Sequence, residues 1–283
     1  MKILLVSDTH LSPRARDLTG NWQVIKDWIA NQSIDQMIHL GDITADGIVY
    51  PEELAFAHRA FGIGEAPLFL PGNHDIGDHP AGPGRVPEHP VDPKRLDCYR
   101  DIFGADCWWF RCEGWQCIGI NAQLLATDSA LEAKQENWLR DALNRDSGPL
   151  ALFLHKPLFR ETWDDREIHE RYIPFEARQR LKALLPSERL RLVVSGHAHQ
   201  ARRRDHDGVA HIWVPSTSFC IPDAVQPRLG DKIVGAAMLE LRSNSFSLEF
   251  FTPPGMVRYN LLHLQNLYPQ LGLLDPVLRK AEL

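Results

Sequence analysis

Lys2-Ile3-Leu4-Leu5-Val6-Ser7-Asp8-Thr9-His10 is the stretch on which the fold turns. Its apolar run is short, continuous and bounded by polar residues, as expected of a strand buried on both faces. It runs directly into an aspartate and a histidine. Across residues 21–32 the positions Trp22, Ile25, Trp28 and Ile29 recur with helical spacing, and residues 35–40 return to a strand-like run ending at Gly41-Asp42. That is a β-α-β unit. A second helix is predicted over residues 51–61, with Pro51 in its first turn and a stop near Gly62. The strand Leu68-Phe69-Leu70 then leads into Gly72-Asn73-His74-Asp75, which repeats the pattern.

Further along, residues 108–112 and 116–121 read as strands joined at Glu113-Gly114, and residues 132–144 as a helix with Trp138, Leu139, Ala142 and Leu143 on one face. Residues 150–154 form another buried strand ending at His155. A helix over 175–185 precedes a strand over 190–194 that ends at Gly196-His197-Ala198-His199. Runs at 210–214, 233–241 and 246–251 complete a body of residues 1–252. Residues 76–96, rich in Pro, Gly, Asp and His, predict a long surface loop, and the charged segment 160–171 carries no clear period. The final segment, 253–283, opens with Pro253-Pro254-Gly255 and carries Leu261, Leu262, Leu264 and Leu267. This pattern predicts a tail that packs on the body or on a second subunit.

At 283 residues, with 44% hydrophobic and 24% charged residues, the chain fits one large globular domain with elaborations. A net charge of −6 argues against non-specific nucleic-acid binding, and Arg202-Arg203-Arg204 is read as a solvated turn. The N-terminal apolar run is too short for a signal peptide, and no stretch approaches the roughly 20 apolar residues of a membrane span. Five cysteines without a C-x-x-C pair fit a reducing compartment, so the expected location is the cytoplasm. Cys98, Cys107, Cys112 and Cys117 are read as buried structural thiols rather than a zinc site.

Five strand-like runs end in residues that ligate metals: Asp8 with His10, Asp42, Asn73, His155, and His197 with His199. Each piece has a bland reading as turn or cap chemistry. Together they suggest one site, because residues distant in sequence converge at the carboxyl ends of strands in an open α/β sheet. His39, His58, His89, His169, His206, His211 and His263 lack that context and are expected at the surface or in packing. Mixed carboxylate, imidazole and amide ligands suit Mn²⁺, Fe or Zn²⁺ better than Mg²⁺ or Ca²⁺. Two divalent ions against the carboxylates of Asp8 and Asp42 leave a net positive centre that attracts phosphate.

Through Asp8-Thr9-His10, Gly41-Asp42, Gly72-Asn73-His74-Asp75, His155 and Gly196-His197-Ala198-His199, the sequence resembles the calcineurin-like metallophosphoesterase superfamily. The resemblance implies a four-layer α/β/β/α sandwich of two mixed sheets flanked by helices. It implies one metal held by Asp8, His10, Asp42 and His199 and another by Asp42, Asn73, His155 and His197, with Asp42 bridging. His74 matches the family's catalytic histidine, which stabilises the transition state or protonates the leaving oxygen, and Asp75 is expected to orient and charge its ring. Where many relatives carry a second histidine, this chain has Lys156, expected to face outward, with a phosphate contact as the alternative.

The implied activity is hydrolysis of a phosphodiester, such as a cyclic nucleotide or a related small diester, by a metal-bridging hydroxide. Phosphomonoester hydrolysis is the alternative, with Arg14, Arg160 and Arg166 as candidates to neutralise a dianion. A catalytically silent scaffold is the alternative of another class. The expected partner is a small phosphate ester, with neither nucleic acid nor membrane, and a homo-oligomer is allowed. Loops 76–96 and 160–171 are expected to rim the metals, with Phe159 and Trp163 stacking on a flat group or packing beneath the loop.

Overall fold

The computed structural model describes residues 1–62 and 67–273. The chain opens with β1 (Lys2–Val6), α1 (Arg16–Ile29), β2 (Gln36–His39), α2 (Glu52–Phe61) and β3 (Leu68–Phe69), and the three strands lie parallel, Ile3 facing Gln36 and Ile38 facing Leu68. The short α3 (Asn73–Ile76) and then α4 (Pro93–Phe103) follow. A second sheet is built from β4 (Trp108–Cys112), β5 (Trp115–Gly119), β6 (Leu150–Phe153), β7 (Leu190–Ser195), β8 (Arg202–His206) and β9 (Val209–Trp213), in the spatial order β4-β5-β6-β7-β9-β8. Helices α5 (Ala130–Leu143) and α6 (Phe175–Leu184) supply its crossovers. After β10 (Phe219–Cys220) the chain returns to the first sheet as β11 (Ala236–Arg242) and β12 (Ser245–Phe251), antiparallel to β1 and to each other respectively.

Both sheets are therefore mixed. They pack face to face through Leu5, Leu40, Phe153, Val194, Ile212 and Leu239, all fully buried. The outer face of the first sheet is covered by α1, α2 and α4 through Trp22, Ile25, Leu54, Phe61 and Tyr99, and that of the second by α5 and α6 through Leu139, Leu143, Ala177 and Leu181. This is the four-layer α/β/β/α sandwich. Parallel strands buried on both faces have no polar side to alternate with, which is why they read as continuous apolar runs.

Several segments depart from the sequence reading. Residues 76–96 are not one loop, because α4 begins at Pro93, where the Asp92 carboxylate accepts the Lys94 amide at 2.7 Å and proline occupies the first turn. The Arg202-Arg203-Arg204 run forms strand β8 rather than a turn, and Arg202 and Arg204 pair with Glu161 at 3.0 and 2.8 Å. Positive charge on an edge strand opposes pairing with another chain. Among the clustered cysteines only Cys117 is buried, while Cys98 is exposed and Cys107 and Cys112 are half-buried. Beyond residue 253, β13 (Tyr259–Asn260) pairs with β10, and Leu262, Leu267, Tyr268 and Leu271 are buried. The last three join Ala15, Leu18, Ala45 and Phe219 in a small apolar cluster. Among the described residues no helix is long and apolar enough to cross a membrane.

Lys156 also corrects an expectation, since it is fully buried rather than outward-facing. Its ammonium sits 2.6 and 2.7 Å from the two Asp78 carboxylate oxygens and donates to the Glu170 carbonyl at 2.6 Å, which ties both irregular loops to the residue beside His155. Stripping a buried charge of its partner costs far more than the intact pair contributes. Asp78→Ala should therefore cost about 3–5 kcal/mol in denaturant unfolding. Lys156→Met should cost less, because the Asp78 side chain keeps 21% of its exposure and can hydrate. Equal losses in the two variants would show that the pair does not act this way.

Candidate metal centre

At the carboxyl ends of β1, β2, β3, β6 and β7 the chain leaves each strand on a residue that can donate to a metal. Nine described non-glycine residues have positive φ, and five of them are Asp8 (53°), His10 (45°), Asp42 (52°), His197 (61°) and His199 (52°). Such backbone costs of order 1–3 kcal/mol per residue and persists only where the surroundings over-determine it. Here the loops brace one another. The Asp8 and His10 amides donate to the Gly41 and Asp42 carbonyls at 3.0 and 3.1 Å. The Ser216 and Ser218 hydroxyls donate to the Asp8 carbonyl at 3.0 and 2.7 Å, and the His197 amide donates to Asp8 Oδ2 at 3.0 Å. Gly41 has a φ of 108°, and a Cβ there would lie 2.6 Å from the His155 ring, so both backbone and space demand glycine.

Two groups of donor atoms result: Asp8 with His10 and His199, and Asp42 with His155 and His197. In the first, His199 Nε2 lies 3.3 Å from Asp8 Oδ1 and 3.4 Å from His10 Nε2. In the second, His155 Nε2 lies 3.3 Å from Asp42 Oδ2, 3.3 Å from Asn73 Oδ1 and 3.1 Å from His197 Nδ1. Carbonyls only accept hydrogen bonds, so His155 Nδ1 and His199 Nδ1 must carry protons toward the Leu40 and Phe219 carbonyls, each at 2.9 Å. That turns the Nε2 lone pairs of both rings inward.

The seven residues fit divalent ions on this geometry. Asp8 Oδ1 is buried with no hydrogen-bond partner, and His155 Nε2 is ringed by electron-rich atoms. Lone pairs packed at such range repel unless positive charge lies between them. Burial works against charge on Asp8, yet His199 holds its carboxyl well below the usual range. Asp42 is held low in the same way by His155. Burial likewise opposes charge on His155, but Asp42 lifts it to about 9. A proton on His155 thus meets the demand for positive charge in the metal-free chain, and it must leave before Nε2 can bind a metal.

His74 stands beside this cluster with its ring centre 4.9 Å from that of His10. Its amide donates to Asp42 Oδ1 at 2.9 Å, and its Nδ1 donates to the Ala45 carbonyl at 2.7 Å, so Nε2 is the ring nitrogen that carries the lone pair of the neutral imidazole. Asp75 does not orient that ring, contrary to the expectation from sequence. Its carboxylate accepts the amides of Gly72, Ile43 and Thr44 at 2.8, 3.1 and 2.9 Å and the Thr44 hydroxyl at 2.8 Å, so it knits the loops after β2 and β3 together. His39, read from sequence as surface or packing, is a brace as well. Its Nε2 donates to Thr9 Oγ1 at 3.0 Å, whose own proton goes to the Ile43 carbonyl at 3.0 Å, and its Nδ1 accepts the Gly41 amide at 3.1 Å. Burial pushes it down to about 3, so it works as a neutral ring.

Other candidates find protein partners. Arg14 pairs with Glu53 at 3.0 Å and stacks on Tyr50, Arg160 reaches Glu167 at 3.5 Å, and Arg166 lies over the Phe175 ring at 4.1 Å. Phe159 and Trp163 are buried in the core beneath the second sheet, so they pack rather than stack on a ligand. Sequence reasoning missed Ser216, Ser218 and Tyr268, the last of which places its hydroxyl 2.9 Å from His10 Nδ1. None of these has a local signal, since their partners lie far away along the chain.

Comparison with known proteins agrees with this architecture. A probable cyclic nucleotide phosphodiesterase of Psychrobacter arcticus is 25% identical over 244 residues, covering 77% of this chain and 81% of that protein. A serine/threonine-protein phosphatase of Danio rerio is 27% identical over 188 residues, covering 63% of this chain and 53% of the relative. The Plasmodium protein known as the anchor in the inner membrane complex shares the fold, with a TM-score of 0.60 at 13% identity over 91% of this chain and 86% of that one. The family model for calcineurin-like phosphoesterases matches residues 1–201, the region that supplies every strand end described above, and the chain belongs to that family of metal-dependent phosphoric ester hydrolases.

Proposed function

We propose that Asp8, His10, Asp42 and His199 hold one divalent ion and that Asp42, Asn73, His155 and His197 hold a second, with Asp42 shared between them. On this reading the chain hydrolyses a small phosphodiester, a cyclic nucleotide or a related molecule. The observation that carries it is the convergence of two donor groups from four strand ends, joined by Asn73 from a fifth, with the inward nitrogens of His155 and His199 freed by main-chain acceptors. Carboxylate, imidazole and amide donors favour manganese or iron, with zinc as the alternative. When bound, the two ions supply Lewis-acid neutralisation of phosphoryl oxygens and lower the pKa of a water that attacks phosphorus.

The remaining chemistry belongs to side chains. His74, fixed through Nδ1 on Ala45, presents Nε2 to protonate the departing oxygen or to stabilise charge on it. Asp75 and His39 act at one remove, holding the loops that carry Asp42 and His10. The diester reading is supported by the name of the Psychrobacter relative and by the protein partners of Arg14, Arg160 and Arg166, which are thereby drawn away from neutralising a phosphate dianion. The Danio rerio phosphatase keeps monoester hydrolysis as the second reading. Against the scaffold reading stands the presence here of all seven donors and His74. Five unpaired cysteines support a cytoplasmic location.

Metal-stripped protein reloaded with Mn²⁺ should cleave bis(p-nitrophenyl) phosphate faster than p-nitrophenyl phosphate. The opposite preference would move the function to a phosphomonoesterase, and no turnover with two ions bound would favour the scaffold. Asp42→Ala should lose most of its metal by elemental analysis, whereas two ions retained per chain would refute the shared ligand. His74→Ala should keep both ions and lower kcat by about 100- to 10,000-fold, and an unchanged rate would remove His74 from the chemistry.

A further inference from the structure

The proposed ligands all lie within residues 1–201, the stretch matched by the family model, yet Asp8, His10 and His199 are held from outside it, His10 by a side chain of the C-terminal segment. His10 Nε2 faces His199 Nε2 at 3.4 Å, while its other ring nitrogen, Nδ1, meets the Tyr268 hydroxyl at 2.9 Å. His155 and His199 are each oriented by a main-chain carbonyl, which can only accept. A phenol can either donate or accept, so the direction of this one bond decides where the His10 proton sits. If Tyr268 donates, the proton is on Nε2 and His10 cannot ligate. If Nδ1 donates to Tyr268, the lone pair on Nε2 turns toward His199.

The tail is built to hold that hydroxyl in place. Tyr268 is 5% exposed, between Leu267 at 2% and Leu271 at 8%, and all three pack with Leu18, Ala45 and Phe219. Its ring stands edge-on to His10, His74 and Phe219, with centres 6.2, 5.8 and 6.0 Å away, and Phe219 in turn lies against His10 and His199 at 4.9 and 4.6 Å.

We propose that Tyr268 is a positioning residue for His10: by accepting the Nδ1 proton it fixes the tautomer and the ring plane, so docking of the C-terminal segment completes one metal position. This rests on His10 being a ligand, as proposed above. Partners that orient a ligating histidine typically change metal affinity by about 10–100-fold.

Tyr268→Phe removes only the hydroxyl and keeps the ring, so it separates the hydrogen bond from packing. Full-length, metal-stripped protein should be titrated with Zn²⁺ against a chromophoric chelator. The variant should bind one of two ions about 10–100-fold more weakly and the other unchanged, with the melting temperature of the metal-free protein near that of the parent. In the Zn²⁺-loaded parent, nitrogen-edited NMR should show a protected Nδ1 proton on His10 that is absent from the variant. Unchanged affinity for both ions in Tyr268→Phe, with one ion lost in His10→Ala, would overturn the proposal. Two ions retained in His10→Ala would instead show that the ligand assignment itself is wrong. If Tyr268→Phe does not fold, the parent's spectrum decides: a protected His10 Nδ1 proton supports the proposal and its absence overturns it.

Discussion

A crowd of electron-rich atoms with too few protons between them is the constraint on which this structure depends. Two buried carboxylates, an amide oxygen and four imidazole nitrogens approach one another to 3.1–4.0 Å at the ends of five strands. No arrangement of neutral side chains would place them so, because each lone pair would do better facing water or a donor. Divalent cations would satisfy all of them at once. With two divalent ions bound, four positive charges would exceed the two negative charges of Asp8 and Asp42, and that excess would attract phosphate.

Holding such a crowd together costs backbone strain, and much of the surrounding structure offsets it. The left-handed conformations at Asp8, His10, Asp42, His197 and His199 survive because neighbouring loops share hydrogen bonds, because Asp75 gathers three amides, and because Ser216 and Ser218 anchor the Asp8 carbonyl. The sandwich beneath supplies the rigidity: parallel strands buried on both faces cannot slide without exposing apolar surface. Residues beyond the strands, including the Lys156–Asp78 pair and the tail around Tyr268, extend this bracing to the rim.

What was legible in the sequence follows from the range of the interactions involved. The buried strands were readable because continuous apolar runs need only neighbours in sequence, and the donor residues were readable because each directly follows such a run. Helix α4 was missed because its buried face amounts to little more than Leu96 and Tyr99, although Asp92-Pro93 marks its start. The bracing was not readable at all. His39 meets Thr9 across 30 positions, Lys156 meets Asp78 across 78, and Tyr268 meets His10 across 258. Lysine defaults to the surface unless a partner is known, and adjacency in sequence points Asp75 at His74 although its partners are Gly72, Ile43 and Thr44 in the loops after β3 and β2.

Anomalous diffraction from crystals of the full chain grown with Mn²⁺ tests the central claim most directly. The account predicts two peaks, one within coordination distance, about 2.0–2.3 Å, of Asp8, His10 and His199, the other of Asn73, His155 and His197, with Asp42 between them. Two peaks elsewhere, or none at these strand ends with the ion in excess, would contradict it.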